Sequence, residues 1–98
     1  MNLMLIEPLE PQKAKQLIRS ILSQGGVNFS PHAEKEMLAD RLMEADILCV
    51  LRGGLVEPAE FELGSWRYRV RTNKIFVVVA FRSESEIRIV TAWRIKRR

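Results

Sequence analysis

The chain has 98 residues, of which 47% are hydrophobic and 29% charged, and its formal net charge is +4. This length is enough for one domain with one hydrophobic core and excludes a second. The longest apolar run, at 75–81, has seven residues, whereas a membrane-spanning helix needs about 20. We therefore expect a globular protein without a membrane partner.

The single cysteine, Cys49, lies in an apolar stretch and has no partner for a disulfide within the chain. We expect its thiol to be buried as a small hydrophobic group. The start of the chain is largely apolar, but no cationic residue precedes the apolar residues and Glu7 follows them, so we predict no secretory signal. Both features favour a cytoplasmic location.

Helical periodicity dominates the first half of the chain. An expected first helix begins near Pro11, places its apolar residues on one stripe and ends at the Gly25-Gly26 pair. A second helix begins after Ser30, which supplies an N-cap hydroxyl, with Pro31 in the first position, where no N–H is needed. A third, apolar helix is expected at 45–51, and 27–29 is a candidate for an extra edge strand.

From Leu55 onward the apolar residues recur at every second position, as they do in β-strands. The segment 55–63 contains Pro58, which favours an edge position. The segment 66–72 alternates apolar residues with arginines, and 74–82 is apolar on both faces, which predicts a central strand. In the last strand, 86–96, strict alternation predicts five residues on the apolar face: Ile87, Ile89, Thr91, Trp93 and Ile95.

These elements predict an α+β fold in which three helices pack on one face of a four-stranded antiparallel sheet. The opposite face is rich in arginine. Residues 1–64 contain six basic and ten acidic side chains, a net charge of −4, whereas residues 65–98 contain ten and two, a net charge of +8. A basic face of this kind favours a nucleic-acid partner, since arginine suits phosphate and stacks on bases. A solvated face that keeps the protein soluble is the alternative.

His32, the only histidine, is the candidate for proton transfer near neutral pH. It lies in the first turn of the second helix, where the helix dipole disfavours an imidazolium, and Glu36 and Asp40 follow on the same helical face. A structural histidine near a helix cap is the alternative. The sequence shows no cluster of histidine, cysteine or carboxylate residues that completes a metal site and no glycine-rich nucleotide loop. We therefore predict neither a metal nor a cofactor.

Five segments in order carry a resemblance to a known protein family. They are FSPHA at 29–33 followed by Met37, ADILCVLRGG at 45–54, WRYRVR at 66–71, IFVVVAF at 75–81 and VTAWR at 90–94. Together they resemble the RelE-like type II toxin superfamily, and within it the branch related to the MqsR and BrnT toxins. The resemblance implies a single RelE-like toxin domain over residues 1–98, with its core at 27–95 and an N-terminal helical extension at 1–26.

What the resemblance implies is the toxin of a type II toxin–antitoxin system, a cytoplasmic mRNA endoribonuclease that inhibits translation without a metal. In such an enzyme the 2′-hydroxyl of the RNA attacks the adjacent phosphate, while the protein supplies acid–base catalysis and positive charge. The implied partners are mRNA, free or on the ribosome, and a cognate antitoxin protein. The implied catalytic residues are His32, Glu36, Arg69 and Thr91. The implied RNA-binding residues are Arg67, Tyr68, Arg71, Lys74, Arg82 and Arg94.

Glu36 and Asp40 occupy positions at which this branch commonly carries arginine. The resemblance therefore leaves a second hypothesis open, a non-catalytic RNA-binding or protein-binding module of the same fold. The enzyme hypothesis makes a structural demand that the module does not make. The second helix must place its N-terminus, and with it His32, beside the arginine face at an edge of the sheet.

Overall fold

The computed structural model describes residues 5–96; residues 1–4, on which the prediction about a secretory signal partly rests, lie outside the described range. The helices are α1 (Pro11–Gln24), α2 (Pro31–Ala39) and α3 (Glu44–Gly53). The strands are β1 (Gly26–Phe29), β2 (Leu55–Val56), β3 (Glu60–Glu62), β4 (Ser65–Arg71), β5 (Ile75–Ser83) and β6 (Glu86–Arg94). Within 5–96, no helix combines the length and the apolar character that crossing a membrane requires.

The first helix follows its predicted stripe and stop signal. α1 buries Ala14, Ile18 and Ile21, which recur at helical spacing. It ends where the N–H of Gly25 donates to the carbonyl oxygen of Ile21 at 2.7 Å. A Cβ on Gly25 would collide with the backbone carbonyl of Ser85. Glycine therefore allows the end of α1 to pack directly against the turn between β5 and β6.

The third helix exposes Cys49, so the expectation of a buried thiol is wrong. α3 turns Ile47, Val50 and Leu51 into the core, where each is at most 2% exposed. With 3.6 residues per turn, Cys49 falls on the other side of the helix. A side chain that is next to apolar residues in the sequence is therefore not necessarily buried, because only one side of this helix faces the core.

The sheet has six strands in the described part of the chain, in the order β1-β6-β5-β4-β2, with β3 also paired to β4. Three helices and an α+β architecture are confirmed, but the prediction of four antiparallel strands is wrong. The candidate edge strand is present as β1 and pairs parallel with β6, with Gly26 opposite Glu86. The segment 55–63 forms two short strands on the outer edge of β4 instead of one. Pro58 lies between them and has no N–H to donate to the ladder.

Two irregularities interrupt the pairing of β5 with β6. Two consecutive residues of β5 pair with Ile89 and Thr91, which leaves Val90 as an extra residue of β6. Arg82 of β5 is left over in the same way near the other end of the ladder. Each extra residue is a β-bulge, and a bulge inverts the alternation of the strand beyond it.

The bulge at Val90 moves Trp93 to the face of the sheet opposite the helices, so its predicted place on the apolar face is wrong. Beyond the bulge, Ala92 turns into the core and is fully buried. Trp93 instead stacks on Phe76 of β5, with ring centroids 4.8 Å apart and ring planes 2° from parallel. Thr91, opposite Val78, changes face together with Trp93.

We call the side of the sheet opposite the helices the open face. All three helices share one hydrophobic core with the inward-facing residues of the long strands. Val78 and Ala80 of β5 point the other way and are nevertheless only 6% and 8% exposed, which confirms β5 as a central strand buried on both faces. The open face carries Arg67, Arg69 and Arg71 of β4, Phe76, Val78, Ala80 and Arg82 of β5, and Arg88, Val90, Thr91 and Trp93 of β6.

Tyr68, to which the resemblance gave a role in RNA binding, is fully buried on the helix side of β4. Its ring is therefore not available to stack on an RNA base. Its hydroxyl donates to Oε2 of Glu7 and accepts from the N–H of Leu9, both at 2.9 Å. Burial raises the pKa of the Tyr68 phenol to about 12, and the Glu7 carboxylate adds to this effect while the Leu9 N–H opposes it. Tyr68 therefore anchors the segment before α1 to the sheet.

The titration of Tyr68 should report this anchor directly, because Tyr68 is the only tyrosine in the chain. The folded state holds the phenol proton more tightly than the unfolded state does. The resulting stability is complete below the ordinary pKa of 10.0 and is lost as the pH rises towards about 12. Tyrosinate absorbance in the near ultraviolet should therefore rise well above pH 10 in the native protein and near pH 10 in denaturant. Equal midpoints in the two conditions would show that the phenol is not buried.

Candidate active site

A pocket of about 660 Å³ opens where the start of α2, the turn between β3 and β4, and the strands β5 and β6 meet. Both bulged residues, Arg82 and Val90, line it. Bulges next to a pocket commonly redirect side chains towards it. The side chains in its lining that can donate or accept a proton or hydrogen bond are Ser30, His32, Ser65, Arg67, Arg82 and Arg88.

His32 reaches the pocket because α2 begins at an edge of the sheet. β1 ends opposite Ile89, and the next residue, Ser30, donates its N–H to the Ile89 carbonyl oxygen at 3.0 Å. The Ser30 hydroxyl donates to the carbonyl oxygen of Val90 at 2.8 Å and accepts from the N–H of Ala33 at 2.9 Å. This serine is therefore both the predicted N-cap of α2 and the link that holds the first helical turn against the bulge. The exposed His32 side chain lies beside the pocket as a result.

The side chain of Arg67, in the lining of the pocket, contains a buried hydrogen-bond donor. Its Nε is buried, yet it has no hydrogen-bond partner among the described residues. A buried donor without an acceptor costs about 1–3 kcal/mol, and more when the group is charged. The same guanidinium lines the pocket together with those of Arg82 and Arg88, so the positive charge of the lining favours an anion as ligand.

The other two arginines of the pocket differ in how they are held. Arg88 donates from Nη1 to Oδ1 of Asn28 at 3.0 Å, and Asn28 in turn donates to Oε2 of Glu86 at 2.9 Å. This chain of contacts runs across the β1–β6 pair and orients the guanidinium of Arg88. Arg82 is exposed on its bulge. The pocket therefore combines one oriented cation, one half-buried cation and one exposed cation.

Arg69 and Arg71 lie on the same face but are already paired with carboxylates. Arg69 forms ion pairs with Glu60 and with Glu62, the latter at 2.9 Å, and Arg71 Nε lies 2.8 Å from Oε2 of Glu57. We call Glu57, Glu60 and Glu62 the acidic strap, because they border the outer edge of β4. The strap neutralises two of the three arginines of β4, and the structure does not bring Arg69 into the pocket that His32 lines.

Arg94, the second arginine of β6, connects this strand to the end of α2. Arg94 donates its backbone N–H to Oδ2 of Asp40 at 2.8 Å, and its guanidinium donates to the carbonyl oxygens of Asp40 and Arg41. These contacts fasten the end of α2 to the end of β6. The guanidinium of Arg94 is therefore occupied by backbone acceptors.

The other residues implied by the resemblance lie at separate places. Glu36 is half-buried one turn after His32, and no hydrogen bond joins the two side chains in the described structure. Thr91 follows the bulge on the open face, outside the lining of the pocket. Lys74 is exposed in the turn between β4 and β5. In 5–96, no group of three or more histidine, cysteine or carboxylate side chains is arranged to hold a metal ion.

Arg88 has no role in the predictions from the sequence, although the alternation of its strand indicates its position on the arginine face. The alternation of 86–96 places Arg88 opposite the buried Ile87 and Ile89, on the arginine face. Leu63 at the rim of the pocket was also missed. It is 91% exposed and adopts a positive φ of 49° in the turn before β4, a conformation that a leucine rarely adopts.

The pocket can bind a phosphodiester between guanidinium groups and can exchange a proton through an imidazole at its edge. Arginine recognises phosphate by paired, charge-assisted hydrogen bonds, and a histidine transfers protons near neutral pH. Comparison of the chain with protein-family models, with curated proteins and with solved structures finds no match.

Proposed function

We propose that this protein is the toxin of a type II toxin–antitoxin system and that it cleaves mRNA as a metal-independent endoribonuclease in the arginine-lined pocket. The observation that supports this proposal is the meeting of His32 with Arg67, Arg82 and Arg88 around one cavity. The three guanidinium groups give the lining a positive charge, and no carboxylate side chain lines the pocket among the described residues, which favours an anion there. Composition supports the same class of ligand, since residues 65–98 carry a net charge of +8.

The proposed reaction uses the RNA itself as the nucleophile. The 2′-oxygen forms a bond to the adjacent phosphorus, and the bond from phosphorus to the 5′-oxygen of the next nucleotide breaks. His32 accepts the proton of the 2′-hydroxyl, and the departing 5′-oxygen takes a proton from solvent at the exposed mouth of the pocket. The products are a 2′,3′-cyclic phosphate and a 5′-hydroxyl.

The arginines stabilise the charge that accumulates on the phosphate during this reaction. Arg67 is the best placed of them, because its side chain is half-buried in the lining of the pocket, and electrostatic interactions are stronger in such surroundings than in open water. Arg88 is held by Asn28 and needs little reorganisation. Arg69 and Arg71, paired with the acidic strap, are assigned a lesser role than the resemblance implied.

A non-catalytic RNA-binding module is the second candidate, and one observation favours it. No hydrogen bond to the imidazole of His32 is present in the described structure, so its ring is not oriented by a neighbouring carboxylate. Catalytic histidines are commonly oriented in that way. A binding module would need the arginines and not the histidine.

An acidic protein partner suits the open face whether the protein cleaves RNA or only binds it. A toxin needs an antitoxin, and a negatively charged segment of the antitoxin would be steered to the positively charged arginines of this face. We propose that the cognate antitoxin covers the pocket and so prevents RNA from entering.

RNA affinity at several salt concentrations tests the proposed site. Each phosphate contact on a single strand contributes about 0.7 to the slope of log affinity against log salt. Combined replacement of Arg67, Arg82 and Arg88 by alanine should therefore lower the magnitude of the slope by about 2. Replacement of Lys13, Lys15 and Lys35, which lie on helices α1 and α2, removes the same charge and should change the slope much less.

The same preparations should be assayed for RNA cleavage with and without ribosomes and for growth arrest on expression. Cleavage or arrest by the wild-type protein supports the enzyme. Binding of RNA with neither cleavage nor arrest would decide for the binding module. If the wild-type protein binds no RNA, both candidates fail.

A further inference from the structure

The open face carries a second feature that the proposed reaction does not use. Phe76 and Trp93 lie directly opposite each other on β5 and β6, and their rings are stacked 4.8 Å apart and almost parallel. Both side chains are partly exposed. They do not pack against the hydrophobic core between the helices and the sheet. The pair is therefore an aromatic surface on the arginine-rich side of the sheet.

One side of this stack is bordered by an arginine and the other by an edge of the sheet. Arg71 lies opposite Phe76 on β4 and is held there by Glu57. Trp93 lies on β6 beyond the point where β1 ends, so no strand in the described range lies next to it on that side. One face of the indole contacts Phe76. On the other side of β6 no strand pairs at this position, Asp40 and Arg41 contact the neighbouring Arg94, and the indole remains partly exposed.

A flat aromatic ligand that carries a negative charge best fits this pair of rings with an arginine beside it. A nucleobase can extend an existing stack of parallel rings, and such stacking contributes to binding whichever base is present. The pocket with Arg67, Arg82 and Arg88 lies on the same face and suits the backbone of the same strand. A membrane or an apolar peptide would instead need a wider apolar surface than one pair of rings offers.

We propose that Trp93, supported by Phe76, is a stacking site for an unpaired base of the RNA whose phosphate lies in the arginine pocket. This inference rests on the proposed function. Ala80 borders the pocket, and Phe76 is four residues earlier on β5, which corresponds to about 13 Å at 3.3 Å per residue. The stacked base therefore belongs to a nucleotide some distance along the strand from the scissile phosphate. Such a site favours single-stranded RNA over a duplex, whose bases are already stacked.

Fluorescence of Trp93 tests the proposal. The chain has two tryptophans, so a Trp66→Phe variant leaves Trp93 as the only indole. Titration with a short single-stranded RNA should quench its emission, because a base stacked on the indole does so. Inorganic polyphosphate supplies the negative charge without bases; it should compete with RNA for the pocket but should not quench.

Affinity measurements on the otherwise wild-type chain give the second readout. Trp93→Leu should weaken RNA binding by roughly 5- to 150-fold, the effect of losing one stacked base, and should leave polyphosphate binding unchanged. Trp93→Phe keeps an aromatic ring and should recover most of the affinity. Phe61→Leu is the matched control, since Phe61 is an exposed aromatic residue that lies away from this stack, against Trp66.

The outcomes separate this site from the proposed function. If folded Trp93→Leu binds RNA as tightly as wild type while Arg67→Ala binds it weakly, the stacking site is wrong and the proposed function stands. Equal quenching by polyphosphate, or by an acidic polypeptide such as polyglutamate, would also overturn the stacking site, the latter in favour of a protein ligand. If the wild-type protein binds no RNA, both proposals fail.

Discussion

Replacement of His32 by alanine is expected to lower RNA cleavage by about 10²–10⁴-fold, the usual contribution of general acid–base catalysis. RNA affinity should change little, because in the proposed site the arginines, and not His32, bind the phosphate. The thermal midpoint should also be preserved, since the side chain is exposed and lies outside the core. Single-turnover cleavage, RNA affinity and thermal unfolding of the same preparation distinguish these effects.

His32→Gln provides the matched comparison. Glutamine keeps a polar side chain that can donate and accept hydrogen bonds but cannot exchange a proton near neutral pH. It should therefore be as inactive as His32→Ala, and it should not restore cleavage. Full cleavage by either variant would show that the histidine has no acid–base role and that other residues carry the reaction.

Replacement of Arg67 by alanine is expected to lower cleavage by about 10²–10³-fold, the effect of losing one preorganised donor to a developing negative charge. RNA affinity should fall as well, because the guanidinium also contacts the phosphate before reaction. Stability should not fall, and it should rise slightly if the cost of the buried and unpaired Nε exceeds the loss of packing. A loss of activity without a loss of stability would identify Arg67 as a functional residue.

Arg69→Ala is the matched control for this experiment, because Arg69 is two residues away on the same strand and the same face. Its guanidinium is paired with Glu60 and Glu62, and partly exposed ion pairs contribute about 0–1 kcal/mol. Arg69→Ala should therefore reduce cleavage much less than Arg67→Ala. If the two variants lose the same activity, RNA displaces the acidic strap and the phosphate site extends along β4.

Local chemistry made part of this fold predictable from the sequence. Ser30 and Pro31 mark the start of α2 because an N-cap hydroxyl and an N1 proline act within one helical turn. β5 was predicted as central because it is apolar on both faces, and residues 77–81 are all buried. The arginine face of β4 follows from period-two alternation in a strand without a bulge.

The partners of the edge strands were not predictable in the same way. β1 has only four residues, and its pairing with β6 depends on where the far end of the chain arrives. A strand this short has too few residues to show a distinct alternation, and whether it forms depends on its neighbour in the sheet. The parallel pair nevertheless matters for the site, because it ends where Ser30 turns the chain into α2.

Sequence by itself determined the helices, the central strand, the arginine-rich face of the sheet and the candidacy of His32. Tertiary structure alone decided which arginines meet His32 and which are paired with the acidic strap. The bulged residues Arg82 and Val90 both line the pocket, and the bulge at Val90 also turns Trp93 onto the open face. A bulge forms from the register between two strands and leaves no mark in the alternation of either one, so each strand read alone predicts the wrong face beyond it.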